Sequence, residues 1–196
     1  MTVLGKIVKS NSHTDYVCQI YGKHEIESVP TNVDYAFGTF VSIDLNEYSA
    51  LIGLIYDTVL LNPDFGRLGP RLSTESDLAL FSPDYLNERA TIVGIVIVGQ
   101  VNNGSCRQGT PYIAANSDSL VRRLPEDDIL GFHEVESRLR IGYLPQLIQR
   151  PDPLTRQLAL AVVQQLGHLM PQQIPLLNLL EDDLCWQLQI SAMGRT

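Results

Sequence analysis

The chain has 196 residues, of which 44% are hydrophobic and 18% charged, and its formal net charge is -8. This is the composition of an ordinary globular protein, long enough for one large core or two small domains. A general nucleic-acid binder draws much of its affinity from neutralised phosphates and is usually basic. The composition therefore indicates a chain that folds without a metal or disulfides, and the net charge argues against nucleic acid as a partner.

The cysteines and the amino-terminal residues bear on where the protein works. Cys18, Cys106 and Cys185 are widely spaced and form no C-x-x-C pair, so neither a disulfide framework nor a zinc ribbon is expected. The first ten residues lack the apolar stretch of a secretory signal, and no apolar run is long enough to span a bilayer. We expect a soluble, cytoplasmic protein with no membrane contact.

The first half of the chain is typical of short β-strands. Glycines inside the apolar segments cost strand stability and usually mark bulges or sharp bends, which tight barrels need. A long connection, 62–89, precedes the last segment. We predict a small closed β-barrel of about five or six strands over residues 1–115, built from segments rich in Val, Ile, Tyr, Phe and Thr: 3–9, 15–22, 35–45, 51–61 and 90–101.

Beyond about residue 117 the pattern becomes helical. Pro125 and the three acidic residues after it predict a helix start, with helical sequence over 129–149 interrupted at Gly142 and Pro145.

Two longer helices are expected after Asp152, which predicts an N-cap. The first runs over 154–170 and the second over 175–189. Residues 116–196 are thus predicted to be a helical domain, which makes the protein α+β. The wide apolar faces of these helices require cover, either from the barrel or from another chain.

The front of the chain resembles the HAS barrel, the domain shared by HerA-type DNA translocases and ATP synthase subunits. The HAS barrels pack side by side and help to form a crown on a ring, so the resemblance implies an assembly role. Residues 11–18 and 61–72 further resemble an uncharacterised cyanobacterial family of such barrel proteins. The HAS resemblance covers roughly residues 1–115 and is carried by 4–8, 35–41, 51–56, 90–100 and 109–114.

The ATP-hydrolysing core of those relatives has no counterpart in this sequence. A P-loop requires G-x-x-x-x-G-K-[ST], whose backbone amides hold the phosphates. The Gly5-Lys6 and Gly22-Lys23 pairs lack both the first glycine of that motif and the Ser or Thr after the lysine. We expect no ATP hydrolysis by this chain, and we predict that it is not an enzyme.

Two groups of residues invite a catalytic or metal-binding interpretation. Ser12, His13 and Asp15 lie on one short turn, where three side chains rarely converge as a triad requires. His24 and His133 are each followed by Glu, but the second histidine of H-E-x-x-H is absent. We expect a polar turn, no metal site and no cofactor.

The long connection holds the strongest candidates for binding a partner. Residues 62–72 place Asp64, Phe65, Arg67 and Arg71 among turn formers, which gives a stiff loop with an aromatic ring and two guanidinium groups. The alternative is that both arginines tie the loop to the barrel through internal ion pairs.

Trp186, in the last predicted helix, is the other partner-binding candidate. It is interpreted as an interface anchor or as a core residue. The acidic cluster 181–183 on the same helix is expected to be a solvated face.

Together these patterns predict a non-catalytic assembly or adaptor protein. It would associate with itself as a homo-oligomer or dock on a protein partner such as a separate ring ATPase. One alternative is an accessory protein in DNA processing that contacts nucleic acid through Arg67, Arg71, Arg122 and Arg123, although the net charge disfavours it. Another is an enzyme whose site forms between the barrel and the helices, which would require a deep polar pocket that holds His or carboxylate groups with shifted pKa values.

Overall fold

The amino-terminal part of the chain, together with one strand that follows it, forms a closed antiparallel β-barrel. The structure, a computed structural model, describes residues 1–23, 25–61 and 90–193. Within these residues the barrel has six strands: β1 (Val3–Ser12), β2 (Asp15–Ile20), β3 (Phe40–Asn46), β4 (Ser49–Leu61), β5 (Ala90–Asn102) and β7 (Leu120–Arg123). They follow the order β2-β1-β7-β3-β4-β5, and β2 pairs back onto β5 to close the sheet. A short strand, β6 (Ser105–Gln108), extends β5 as a hairpin.

Strand β7 completes the barrel from beyond residue 115. It lies between β1 and β3 and pairs antiparallel with both. The barrel therefore takes one of its six strands from the segment that leads into the helices.

The third strand begins later than the sequence pattern predicts. Residues 35–39 form turns, in which Gly38 has a φ of 84° and the Thr39 amide donates to the Ala36 carbonyl. This left-handed conformation is open to glycine but interrupts an extended strand. The strand prediction for 35–45 is therefore wrong over its first five residues.

The remaining elements are mainly helical. The helical prediction for 129–149 is wrong at its centre, where a short β-hairpin intervenes. Glu136 and Ser137 have φ values of 52° and 61° and form its turn; two positive-φ residues suit a tight hairpin. The elements are α1 (Glu126–His133), β8 (Glu134–Val135), β9 (Arg138–Leu139), α2 (Leu144–Ile148), α3 (Pro153–Leu169), a 3-10 turn (Pro171–Gln173) and α4 (Ile174–Met193).

Two apolar cores lie on opposite faces of the same strands. The first draws side chains from all six barrel strands, among them Leu4, Ile43 and Ile95, and so fills the barrel interior. The second lies outside the barrel, between β3, β4 and β5 and the helices. Successive residues of one strand point into different cores: Phe40 lies in the outer core and Val41 in the barrel interior.

The helices pack on the chain's own barrel in successive layers. Buried residues of α3, such as Leu158 and Val162, join Leu54 and Val96 in the outer core. Helix α4 then packs against α3 through Leu177 and Leu184. The outward face of α4 is thus the farthest from the barrel. Whether another molecule covers this face is the question that bears on function.

Glycines of β1, β4 and β5 lie at irregularities of the strand pairing, where the sequence predicts bulges or bends. The pairing register shifts next to Gly5 and again between Ile52 and Gly53, opposite Gly99. A Cβ at Gly5 would lie 1.9 Å from the Gln19 carbonyl oxygen. At this position the close approach of two strands therefore requires glycine.

Candidate functional site

The outward face of α4 carries a stripe of exposed apolar side chains. Leu176, Leu179, Trp186 and Ile190 are all at least 47% exposed. With Asp183 they follow a three-four-three-four spacing, which places them on one line along a helix. We call these five residues the α4 stripe. It lies opposite the side of α4 that is buried against α3, and the described residues of the chain leave it uncovered.

Trp186 belongs to this stripe and not to the core. Its side chain is 62% exposed, whereas Leu184 and Leu177 on the other side of the helix are buried. The alternative of a core tryptophan is therefore wrong. Leu176, Leu179 and Ile190 were not among the residues predicted from the sequence, although their spacing from Trp186 places them on the same line of the helix.

The charge on α4 is of one sign. The helix contains Glu181, Asp182 and Asp183 and has no Lys, Arg or His. Gln187 donates a hydrogen bond from Nε2 to Oδ2 of Asp183 at 2.7 Å, which orients the carboxylate on the stripe. A surface that combines exposed apolar groups with an acidic centre favours a partner with the complementary pattern.

A groove of about 390 Å³ lies between α3 and α4, away from the stripe. Gln164 bridges it by donating from Nε2 to the Glu181 carboxylate at 2.8 Å. Its α4 residues follow a different line along the helix from Trp186. Both apolar and polar side chains line the groove: Val163, Gln164, Gly167, His168, Ile174, Leu177, Asn178 and Glu181.

The other predicted partner-binding residues cannot be placed on this surface. Asp64, Phe65, Arg67 and Arg71 lie outside the residues that the structure describes. They remain predictions from the sequence.

Arg122 and Arg123, proposed above as nucleic-acid contacts, are paired with carboxylates. Arg122 Nε donates to Asp44 at 2.9 Å, and Arg123 Nη1 donates to Asp34 at 3.2 Å. The pKa of Asp34 is lowered, first by hydrogen bonds from Thr31 and then by Arg123. Both cations thus have internal partners that compete with a phosphate.

Ser12, His13 and Asp15 are directed to separate partners. The Ser12 hydroxyl accepts from the Thr14 amide at 3.3 Å, and His13 Nε2 contacts the Pro111 carbonyl at 2.8 Å. Asp15 is the first residue of β2 and is 6% exposed. Ser12 and His13 therefore lie in the polar turn that the sequence predicts, whereas Asp15 is buried.

Asp15 is the centre of a buried polar cluster that the sequence analysis missed. Its side chain receives the Tyr56 hydroxyl at 3.0 Å, the Asn11 amide at 3.2 Å and the Arg150 guanidinium. Burial first, and then the Asp15 charge, raise the pKa of Tyr56 to about 12. Asp15 and Arg150 are 135 residues apart, so no local pattern could reveal the pair. The cluster joins the barrel to the segment between α2 and α3.

His133 is fully buried at the end of α1. Its Nδ1 lies 2.7 Å from the Ile129 carbonyl and its Nε2 lies 2.7 Å from the Tyr143 hydroxyl. Since a carbonyl can only accept, Nδ1 carries the proton and Tyr143 donates to Nε2. Burial lowers the pKa of His133 to about 4. This neutral, fully bonded histidine is a structural link between α1 and Tyr143.

The described part of the chain bears on the sequence predictions about metals and membranes. Among these residues no cluster of three or more His, Cys, Asp or Glu side chains has a metal-binding arrangement. In the same residues no helix has both the length and the apolar character that crossing a membrane demands.

The fold defines the class of protein: a closed six-stranded barrel capped by helices on one outer face. Residues 1–194 match the family model described as "Domain of unknown function (DUF8166)". The chain belongs to this family, and the match spans both the barrel and the helices. A search of curated proteins found no match.

Proposed function

We propose that this protein is a non-catalytic adaptor that binds another protein through the α4 stripe. The observation that carries the proposal is the row of exposed apolar side chains on α4, with Trp186 near its centre. An isolated apolar residue at a surface is ordinary, but an aligned row is typical of an interaction site. Tryptophan is also enriched among the residues that dominate binding energy.

A helix of a different protein is the occupant that we propose. The stripe has the spacing of a surface that pairs with an amphipathic helix. The three acidic residues of α4, together with the net charge of -8, disfavour a second copy of the same surface. Self-association, the other arrangement expected from the sequence, is therefore an outcome to be tested.

The closed barrel is compatible with the resemblance to HAS barrels. That resemblance suggests one class of protein as the partner. A separate ring ATPase that carries a suitable helix would fit the proposal. The nucleic-acid alternative has less support, because Arg122 and Arg123 are engaged by Asp44 and Asp34.

The proposal is tested by photo-crosslinking in the cells that make the protein. A photoreactive amino acid at position 179, where Leu179 is 68% exposed, reports contacts of the stripe. The same group at position 33, on the barrel side of the chain, is the control. We expect one protein to be crosslinked from position 179 and not from position 33, and to be identifiable by mass spectrometry.

The identified partner is then titrated into the purified protein. Trp186 is the chain's one tryptophan, so its emission should shift to shorter wavelength when the stripe is covered. Trp186→Ala should weaken binding by about 30-fold or more, as expected for a hot-spot residue. Tyr48→Ala removes a similarly exposed aromatic ring elsewhere and should leave binding unchanged.

Two results would overturn the proposal. One is the absence of a crosslinked partner at position 179. The other is crosslinking only to a second copy of the chain, with a doubled mass by light scattering, which would replace the adaptor with a homo-oligomer.

A further inference from the structure

Asp183 interrupts the α4 stripe at its midpoint. Leu176 and Leu179 precede it, and Trp186 and Ile190 follow it. In paired helices, one polar residue at such a core position selects the partner and fixes the register, at a cost in stability. The negative charge at position 183 therefore determines which side chain the partner must place opposite it.

The Asp183 carboxylate is held in place for such a contact. Gln187, one turn further along, donates to Oδ2 at 2.7 Å. A carboxylate has about four acceptor sites, so one hydrogen bond leaves capacity for a cation. The exposed apolar groups on both sides would exclude water from this position once a helix covers them.

We infer, on the basis of the proposed function, that the partner is an amphipathic helix with a Lys or Arg between two pairs of apolar residues. That cation forms an ion pair with Asp183 in the middle of the interface. Leu176 to Ile190 spans about 21 Å of helix, so a partner helix of about 15 residues covers the stripe.

The same residue discriminates against a second copy of the chain. Two α4 helices paired in register, parallel or antiparallel about the midpoint, bring Asp183 against its own copy. Like charges at the centre of an interface destabilise it, which is a recognised route to specificity. Asp183 thus selects a basic helix and rejects the acidic α4 itself.

The test uses the full chain and two designed helical peptides with apolar residues at the stripe-facing positions. One peptide has Lys at the central position and the other has Glu; they are otherwise identical. Binding is measured by Trp186 emission and by calorimetry. We expect the Lys peptide to bind at least about 10-fold more tightly than the Glu peptide, a difference of about 1.4 kcal/mol.

A charge reversal then assigns the selectivity to one residue. Asp183→Lys should invert the preference, so that the Glu peptide binds more tightly. Asp182→Lys makes the same change of charge beside the stripe and should leave the Lys peptide preferred. This pair of variants separates a specific contact from the general field of α4.

The outcomes distinguish this inference from the proposed function. Equal binding of both peptides, lost in Trp186→Ala, would overturn the inference and leave an apolar docking stripe. Inversion of the preference by Asp182→Lys as well would also overturn it. Failure of both peptides to bind would overturn the inference, while a crosslinked partner at position 179 would still support the adaptor.

Discussion

His133 shows how a single buried side chain can make the stability of this protein depend on pH. It makes edge contacts with the rings of Phe40 and Phe132 and two hydrogen bonds at 2.7 Å. The sequence marks His133 only as a histidine before a glutamate. Its burial depends on Phe40, in the barrel, and on Tyr143, in the segment before α2.

The free energy of unfolding should fall as the pH is lowered from about 6.5 to about 4. Burial lowers the pKa of His133 from 6.5 to about 4, so over this range the unfolded chain binds a proton that the folded protein excludes. This difference corresponds to roughly 3 kcal/mol. Urea denaturation at a series of pH values measures it.

His133→Gln identifies the source of this dependence. The variant should be less stable at pH 7, and its deficit should shrink as the pH falls towards 4. His168→Gln, at an exposed histidine, should follow the wild type throughout. Parallel curves for wild type and His133→Gln would contradict the assignment.

At the level of elements, the position of the β5–β6 hairpin depends on how closely β6 and α1 approach Gly99 of β5. A Cβ at Gly99 would be 2.4 Å from the Arg107 carbonyl oxygen and 2.7 Å from the Phe132 ring. Gly99 therefore lets the barrel accept both β6 and α1. The hairpin is also fixed to the following segment by Gln108, whose Nε2 donates to the Phe132 and Arg140 carbonyls at 2.9 Å.

Gly99→Ala should destabilise the protein by about 2 kcal/mol, because an added methyl group overpacks this junction. Gly131→Ala is the matched control, since a Cβ there meets nothing within 4 Å. It lies inside α1, where alanine should stabilise by roughly 0.5–1 kcal/mol. Thermal and urea unfolding of both variants compare the two effects. A neutral Gly99→Ala would show that β6 and α1 can shift.

For the whole molecule, the barrel and the helices are joined by the second core and by the Asp15 cluster. Asp15 is 6% exposed at the start of β2, and Arg150 comes from the segment before α3. Arg150 also lies over the Tyr56 ring, 5.7 Å from its centre. A buried carboxylate that loses its cation is costly.

Arg150→Met should lower the free energy of unfolding by about 3 kcal/mol, because it leaves the Asp15 charge buried without its cation. Lys6→Met breaks the exposed ion pair of Lys6 with Asp118, 3.3 Å long, and is the matched control. It should cost less than about 1 kcal/mol. Equal effects in urea denaturation would mean that the Asp15 cluster does not hold the helices to the barrel.

The sequence by itself determined the elements whose signals are local. Segments rich in Val, Ile, Tyr, Phe and Thr predicted five of the barrel strands, and glycines marked irregularities in their pairing. Asp152 marked the start of α3, where it accepts from the Leu154 amide at 2.9 Å. The sequence also placed Trp186 on a helix. These features depend on neighbours within a few residues, so they can be read along the chain.

Only the tertiary structure decided which apolar faces are covered and which remain open. A strand buried on both faces, such as β3, shows no clean alternation, and the pattern on α4 is apolar on two sides. Packing of α3 on the barrel and of α4 on α3 buries Leu177 and Leu184 and leaves Trp186 outside. That choice depends on contacts between distant residues, as does the pairing of Asp15 with Arg150, and periodicity carries no information about it.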